Sequence, residues 1–370
     1  MTTKPKRIGV LTGGGDCPGL NAVIRTVTMS ALSKGIEVVG IEDGFLGLIE
    51  NRFRKLTARD VAGLLDRGGT ILGSSNKANP IAFANGRDKD GKVIFENRLD
   101  DCLANLEAQN IDSIVTIGGD GTMTCAQPFV DAGINCIGVP KTIDNDIHGT
   151  EICFGFLTAV QVGTNALDRV RTTADSHGRA LVVEVMGRNA GWVGLFAGVA
   201  GASDTILIPE IPFDTDVVIE ATRRDVIDGE GYSVICVSEG ARPHDGAPIV
   251  ARVDPTSPDP IRLGGVAAVI AHAIEERTEI EARHVVLGHV QRGGSPTAAD
   301  RILSTLFGSH AVEVLLSGGR NRMVARQGYK MTDVDIRECA DRQRLVPPDN
   351  SLVRAARAIG TCFGDVLPTT

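Results

Sequence analysis

Several features are missing from this 370-residue chain, and each absence removes a class of function. There is no run of about 18 consecutive apolar residues, so no membrane-spanning helix is expected. The amino terminus, Met1 to Lys6, is short and polar and lacks a signal-peptide core. Basic residues do not exceed acidic ones: 38 Lys and Arg stand against 46 Asp and Glu, a formal charge of −8. General nucleic-acid binding needs a basic face, so nucleic acid is not an expected partner, although local basic pockets for phosphate stay open. The eight cysteines form no CxxC pair and mostly lie in apolar runs. They read as reduced thiols in a cytoplasm rather than disulfides or zinc ligands. Neither the Walker pattern GxxxxGK followed by Ser or Thr nor the spacing GxGxxG occurs, and there is no internal repeat.

What the chain does have is glycine, 44 in all, with 42% hydrophobic residues. That suits an α/β protein with many tight strand-to-helix turns. Its length exceeds one typical core, so two domains are expected. Apolar runs predict strands over 7–11, 38–41, 113–117, 136–139, 180–185, 205–208, 232–237 and 285–287. Helices are predicted over 20–34, 101–109, 158–172 and 266–277. Residues 43–47 read as a loop with one exposed aromatic, Phe45, and 79–97 as a surface excursion over a site. The Pro- and Asp-rich stretch 242–262 reads as a loop and 300–365 as a mostly helical tail.

The strand ends carry the chemistry. After the first strand stands Thr12-Gly13-Gly14-Gly15-Asp16-Cys17-Pro18-Gly19, and after 113–117 stands Gly118-Gly119-Asp120-Gly121-Thr122. Glycine lets backbone amides approach a phosphate at the positive end of a helix, and Asp120 offers a hard oxygen ligand to Mg²⁺. A third glycine and hydroxyl loop runs from Arg67 to Lys77. After 136–139 comes Pro140-Lys141-Thr142-Ile143-Asp144-Asn145-Asp146. If that segment stays extended, Thr142, Asp144 and Asp146 point to one side. Two carboxylates so placed repel unless a cation or donors hold them, which points to proton transfer with metal handling. Arg179, Arg188, Arg283 and Arg292 lie at or beside strand ends. Any one could be a surface ion pair, but guanidinium groups also suit bidentate binding of a phosphate ester. Together these features describe phosphoryl transfer from a nucleotide-like donor to a phosphorylated acceptor.

In order, GGGDCPGLN, GGDGT, PKTIDND, VEVMGR (183–188) and GHVQRGGSPT resemble the 6-phosphofructokinase family. PKTIDND and GHVQRGG are highly specific, whereas GGDGT is shared with NAD kinases and diacylglycerol kinases. An NAD kinase-like enzyme would leave PKTIDND, MGR and GHVQRGG without a reason. The resemblance implies two similar three-layer α/β domains with mainly parallel sheets and the active site in the cleft between them. Residues 1–157 with 291–345 would bind the donor, and 158–290 with 346–370 fructose 6-phosphate. The implied reaction transfers a phosphoryl group from ATP, with Mg²⁺, to the 1-hydroxyl of fructose 6-phosphate, the committed step of glycolysis.

By that resemblance Asp144 is the general base, Thr142 sits beside the transferred group and Arg188 lies near the reacting phosphate. Asp120 is the metal ligand, and Asp146 serves the same region. Gly15, Asn76, Lys77, Gly121, Thr122 and Lys141 line the donor phosphates, with Phe45 beside the donor. Met186, Gly187 and Glu239 hold the sugar, and His289 and Arg292 its 6-phosphate. Arg179 and Arg283 reach in from a neighbouring subunit, so a second copy of the chain is an expected partner, in a homodimer or homotetramer.

Two departures bear on the donor. Asn76 stands where ATP-using bacterial members usually place Arg. Lys141 stands where many have Gly and pyrophosphate-using members have Lys. Gly121 favours ATP, because a glycine there leaves room for the α-phosphate and nucleoside. Lys141 favours pyrophosphate, but a flexible ammonium can swing clear of a longer donor. ATP is therefore the expected donor and pyrophosphate the alternative. A catalytically inactive sugar-phosphate sensor is a third reading, opposed by the retention of Asp120, Thr142, Asp144, Asp146 and Arg188.

Overall fold

The computed structural model describes residues 5–244, 246–247, 249–253 and 261–369. The chain opens with β1 (Arg7–Thr12), α1 (Leu20–Ser33), β2 (Glu37–Ile41), α2 (Phe45–Ile49), β3 (Phe53–Leu56), β4 (Phe83–Arg87) and β5 (Val93–Glu96). It continues through α3 (Leu99–Ala108), β6 (Ser113–Gly118), α4 (Asp120–Asp131), β7 (Asn135–Thr142), β8 (Phe154–Gly155), α5 (Phe156–His177) and β9 (Ala180–Val185). Next come α6 (Trp192–Ala200), β10 (Thr205–Leu207), α7 (Thr215–Ile227), β11 (Ser233–Ser238), β12 (Val250–Val253), β13 (Ile261–Leu263) and α8 (Val266–Arg277). The last elements are β14 (Ala282–Val286), α9 (Ala298–Leu316), β15 (Arg322–Gln327), β16 (Lys330–Asp335) and α10 (Ser351–Ala358).

The first sheet has the order β16-β15-β7-β6-β1-β2-β3, with β8 beside β7, and only its two edge strands run antiparallel. The second has the order β10-β11-β9-β14 and is parallel throughout. Period-2 alternation of apolar residues gives each sheet two buried faces. Ile8, Val10, Val115, Ile117 and Val139 pack with Leu20 and Val23 of α1 and Phe307 of α9. Leu11, Ile41, Ile114 and Cys136 point the other way, onto Phe45, Leu106 and Phe129 of α2, α3 and α4. In the second sheet Leu181, Val183 and Val185 meet α5 and α6, while Val182, Ile235 and Val237 meet α7 and α8. Each large side chain so buried contributes about 1.5–3 kcal/mol. The result is two similar three-layer α/β units.

Topology places the site. The chain leaves β1 for β2 on one side, and β6 lies on the other, so the turns after β1 and β6 diverge and leave a crevice at the strands' carboxyl ends.

Three expectations need correction. The tail is not mostly helical: the apolar run Met323-Val324-Ala325 enters the first sheet beside β7, and β16 pairs back on it. Residues 43–47 are not an exposed loop, because Phe45 starts a helix whose inward side is buried. The stretch 242–262 contains an antiparallel pair, β12 with β13, although Pro255, Pro258 and Pro260 lie outside the described residues.

One buried carboxylate ties the two units together. Asp300, in the first turn of α9, accepts from the Thr158 backbone amide at 2.8 Å and its hydroxyl at 2.6 Å. It thereby caps the start of α5, where the chain passes from one sheet to the other. Asp300→Ala should lower stability by about 2–3 kcal/mol, the scale of hydrogen bonds to a charged group. Urea denaturation checks this, and a loss below about 0.5 kcal/mol, the range of neutral surface changes, would contradict it.

Candidate active site

Two helix starts face the crevice of the first sheet. α1 follows Gly19 and α4 follows Gly119, and neither has a side-chain cap. Amide donors at the positive ends of both helices are thus left for an anion. Glycine is needed at the neighbouring turns because Thr122 packs into them. A Cβ on Gly13 or Gly118 would stand 2.7 or 2.1 Å from the Thr122 hydroxyl. Gly121 is the opposite case, since a Cβ there would meet nothing within 4 Å and would project into open space.

The segment after residue 70 is stitched along the same turn. Thr12 Oγ1 donates to the Gly73 carbonyl and Ser74 Oγ to that of Gly14, both at 2.5 Å. Asn76 and Lys77 follow directly and are exposed. Beside them opens a pocket of about 450 Å³, lined by Leu46, Ser75, Lys77, Phe83, Arg87 and Val93 among others. The β4–β5 hairpin, in the expected surface excursion, forms its outer wall. Phe45 does not line it. Its ring is buried and stacks on Phe129 with centroids 5.8 Å apart, and Leu46 takes the pocket side instead.

β7 runs past its apolar core to Thr142, which carries Lys141 into the interior. The Lys141 ammonium donates to the Gly15 carbonyl at 2.5 Å, and burial lowers its pKa. Lys141 is therefore a fixed charge rather than one that swings in solvent. Beyond Thr142 the chain turns instead of staying extended: Asn145 has φ 53°, and its side-chain oxygen accepts from the Cys153 amide at 2.8 Å. The Asp144 amide donates to Thr142 Oγ1 at 3.1 Å. Asp146 is buried and Asp144 half-buried, but Asp144 Oδ1 is shielded from solvent and makes no hydrogen bond. Burial pushes the Asp144 pKa up; Arg292 and Lys141 pull it back, while Glu239 and Asp120 add to the rise. Asp146 is raised by burial and then by the charges of Asp144 and Asp120. Among the described residues no three His, Cys, Asp or Glu side chains form a metal cluster. A Mg²⁺ at Asp120 would take further ligands from a donor's phosphates and water, as that ion commonly does.

The second sheet supplies the other wall. β9 runs into Met186-Gly187-Arg188 and β11 into Glu239. Gly187 has φ 138°, which L side chains rarely adopt, and its carbonyl accepts from the Gly240 amide at 3.1 Å beside Glu239. Burial raises the Glu239 pKa. After β14 a 3-10 turn, Gly288–Arg292, holds exposed His289, buried Gln291 and half-buried Arg292. Arg292 reaches across to the first sheet, where its Nη1 donates to the Asp16 carbonyl at 3.2 Å.

Arg179 and Arg283 are not brought to this site. They stand at the starts of β9 and β14, roughly 20 Å of strand from Gly187. There Arg179 pairs with Glu281 at 3.3 Å, and Arg283 with Glu275 and Glu281 at 2.6 and 2.5 Å. Motif reading also passed over Gln291. Its Oε1 accepts from the Met186 amide at 2.7 Å and its Nε2 donates to the Ala159 carbonyl, so it ties the loop after β9 to α5. An uncharged amide inside GHVQRGG was the available signal.

Comparison with known proteins bears on the same residues. The family described as Phosphofructokinase matches residues 7–315. The chain is 47% identical over 362 residues to ATP-dependent 6-phosphofructokinase 2 of Clostridium perfringens, covering 97% of this chain and 99% of that one. It is 45% identical over 344 residues to the pyrophosphate–fructose 6-phosphate 1-phosphotransferase of Amycolatopsis methanolica, covering 93% and 97%. Among solved structures it resembles a phosphofructokinase of Pichia pastoris, with TM-score 0.77 and 30% identity, over 92% of this chain but 36% of that longer one. The fold also matches a pyrophosphate-dependent phosphofructokinase of Marinobacter aquaeolei, with TM-score 0.79 and 22% identity, over 99% and 93%. With PKTIDND, GGDGT and GHVQRGG gathered at one crevice, and a family match over most of its length, the chain belongs to the phosphofructokinase family.

Proposed function

We propose that this chain transfers the terminal phosphoryl group of ATP to the 1-hydroxyl of fructose 6-phosphate, giving fructose 1,6-bisphosphate and ADP. The observation that carries the reading is the half-buried Asp144 carboxylate, with Oδ1 enclosed and unpaired and with Lys141 and Arg292 close enough to act on its charge. Asp144 takes the proton of the 1-hydroxyl as the new O–P bond forms and the bond to the leaving ADP oxygen breaks. A raised pKa makes it a better base than an ordinary aspartate. Thr142 Oγ1 holds the Asp144 amide, Arg188 offsets charge on the transferred group, and Arg292 with His289 takes the 6-phosphate. Asp120 with Asp146 would hold Mg²⁺, which supplies positive charge to the donor phosphates when bound. Residues 1–157 with 291–345 form the donor side, and 158–290 with 346–370 the sugar side.

The donor reading rests on two observations. Open space beyond Gly121 accommodates an α-phosphate, and the pocket beside Lys77 has apolar walls suited to a nucleoside. Lys141, which supports pyrophosphate, is committed to Gly15. The pyrophosphate reading keeps the support of the Amycolatopsis methanolica relative's name.

Arg179 and Arg283, remote from their own crevice, suit the 6-phosphate of a second copy's site in a homodimer or homotetramer. The partly exposed apolar edge of β14, Val285 and Val286, fits such a contact. No helix among the described residues is long and apolar enough to cross a membrane. The eight cysteines are free thiols, and we infer a cytoplasmic setting.

In a folded Asp144→Ser variant, kcat should fall about 10²- to 10⁴-fold with fructose 6-phosphate binding largely kept. Near-normal kcat would remove Asp144 from the role of base. The upward shift also sets a pH dependence. A raised pKa protonates the base as pH falls, so the acid limb of kcat/KM should lie above the ordinary aspartate value of 3.8, once the substrate's own phosphate ionisation is subtracted. A limb at or below that value would contradict the burial argument.

Gly121→Asp should depress ATP use severely, because its carboxylate would fill the open space and repel the α-phosphate. Lys141→Gly should lower kcat/KM for ATP far less. Steady-state kinetics of the two variants with ATP would reveal the reverse ranking if the weighing is wrong.

A further inference from the structure

Residues 343–346 of the tail form a strap outside the family-matched region 7–315. The strap runs between the turn after β7 and the loop after β9, and bonds to both. On the first side the Arg344 amide donates to the Asp146 carbonyl at 2.6 Å. Arg344 Nη2 donates to the carbonyls of Asn145 at 3.0 Å and Glu151 at 2.8 Å. Gln343 pairs with Ile147 in an isolated antiparallel bridge, and its Nε2 reaches Asp146 Oδ2 at 3.5 Å. The guanidinium thus holds two backbone carbonyls of the segment that carries Asp144.

On the second side the contacts go to the start of α6, which directly follows Arg188-Asn189-Ala190-Gly191. The Arg344 guanidinium lies 4.2 Å over the Trp192 ring, and Trp192 Nε1 donates to the Arg344 carbonyl at 2.8 Å. The Val346 amide donates to Glu210 at 2.8 Å, and the same carboxylate accepts from the Gly191 amide at 3.0 and 3.1 Å. Trp192 is 5% exposed, so its ring is a fixed surface for the guanidinium. A planar fork that bonds through its edge and stacks through its face is arginine chemistry, and lysine cannot reproduce it.

We propose that Arg344 is a positioning residue for the phosphoryl transfer. It staples the Thr142–Asp146 turn of the first sheet to the Arg188–Trp192 loop of the second. In doing so it sets the separation between the base and the arginine that must act on the same phosphoryl group. The inference rests on the reading of Asp144 as base and adds a requirement to it: alignment across the two sheets depends on a tail residue that touches no substrate. Misplacement of about 1 Å at a distance from the chemistry can cost about 10²-fold in rate.

The test uses the full chain with Mg²⁺, ATP and fructose 6-phosphate, and compares Arg344→Ala, Arg344→Lys and Trp192→Phe. In Arg344→Ala, kcat should fall about 10- to 100-fold while KM for fructose 6-phosphate moves less than about threefold. Arg344→Lys should recover only part of kcat, and guanidinium ion at millimolar concentration should raise the rate of Arg344→Ala but not that of the parent. A staple with a purely structural role would lower the unfolding midpoint and leave kcat per folded molecule unchanged. A kcat within about twofold of the parent in folded Arg344→Ala, or a matched loss in kcat and 1/KM, overturns the proposal. If Arg344→Ala does not fold, Trp192→Phe decides. It removes the Nε1 donor but keeps a ring, and should cost about 3- to 10-fold in kcat, the worth of one hydrogen bond. An unchanged kcat there overturns the proposal as well. Failure of the base reading looks different: Asp144→Ser would stay active while Arg344→Ala remained slow.

Discussion

A carboxylate oxygen buried without a hydrogen bond is costly, and the crevice is organised around one. Asp144 sits at the end of β7 with Oδ1 unpaired, inside a protein whose interior would rather neutralise it. What keeps the charged form accessible is opposite charge, and it comes from two directions. Lys141 approaches from the same strand, while Arg292 comes from the turn after β14 and crosses to the Asp16 carbonyl. Glu239 and Asp120 push the other way. The balance exists only when the strand ends of both sheets meet, so the chemistry belongs to the packed pair of units. Asp300 at the start of α5 and the strap at Arg344 keep that meeting in place.

The donor question shows how a contact changes the meaning of a residue type. Read as a free side chain, Lys141 is a cation waiting for the end of pyrophosphate. In the structure its ammonium is bound to the Gly15 carbonyl and lies beneath the first glycine turn. Its charge supports that turn and offsets Asp144. Gly121 carries its meaning by what is not there, since its missing side chain leaves space above α4. The hairpin at residues 83–96 then adds a wall where a nucleoside would need one.

Much of this was legible in the sequence, because strand-end loops are contiguous and carry their chemistry in short runs. Gly13 to Gly19, Gly118 to Thr122 and Pro140 to Asp146 each follow an apolar strand, and the structure gathers all three at the carboxyl ends of β1, β6 and β7. What escaped depended on distant partners. Phe45 reads as exposed until Phe129, more than 80 positions away, is placed against it. Met323 to Ala325 reads as part of a helical tail until β7 offers a free edge. Arg344 lies in a stretch with no motif, and its role emerges only from Asn145, Glu151 and Trp192 around it. Arg179 and Arg283 mark the other limit. The motif points them at a phosphate, and a single chain holds them at the far end of the second sheet.

The central claim is that Asp144 and its surroundings move a phosphoryl group from ATP to the 1-hydroxyl of fructose 6-phosphate. The most direct measurement is a coupled assay for fructose 1,6-bisphosphate with the unaltered chain and Mg²⁺, run once with ATP and once with pyrophosphate. The account predicts robust turnover with ATP and a much lower kcat/KM with pyrophosphate. A kcat/KM for pyrophosphate well above that for ATP, or no fructose 1,6-bisphosphate with ATP, would contradict it.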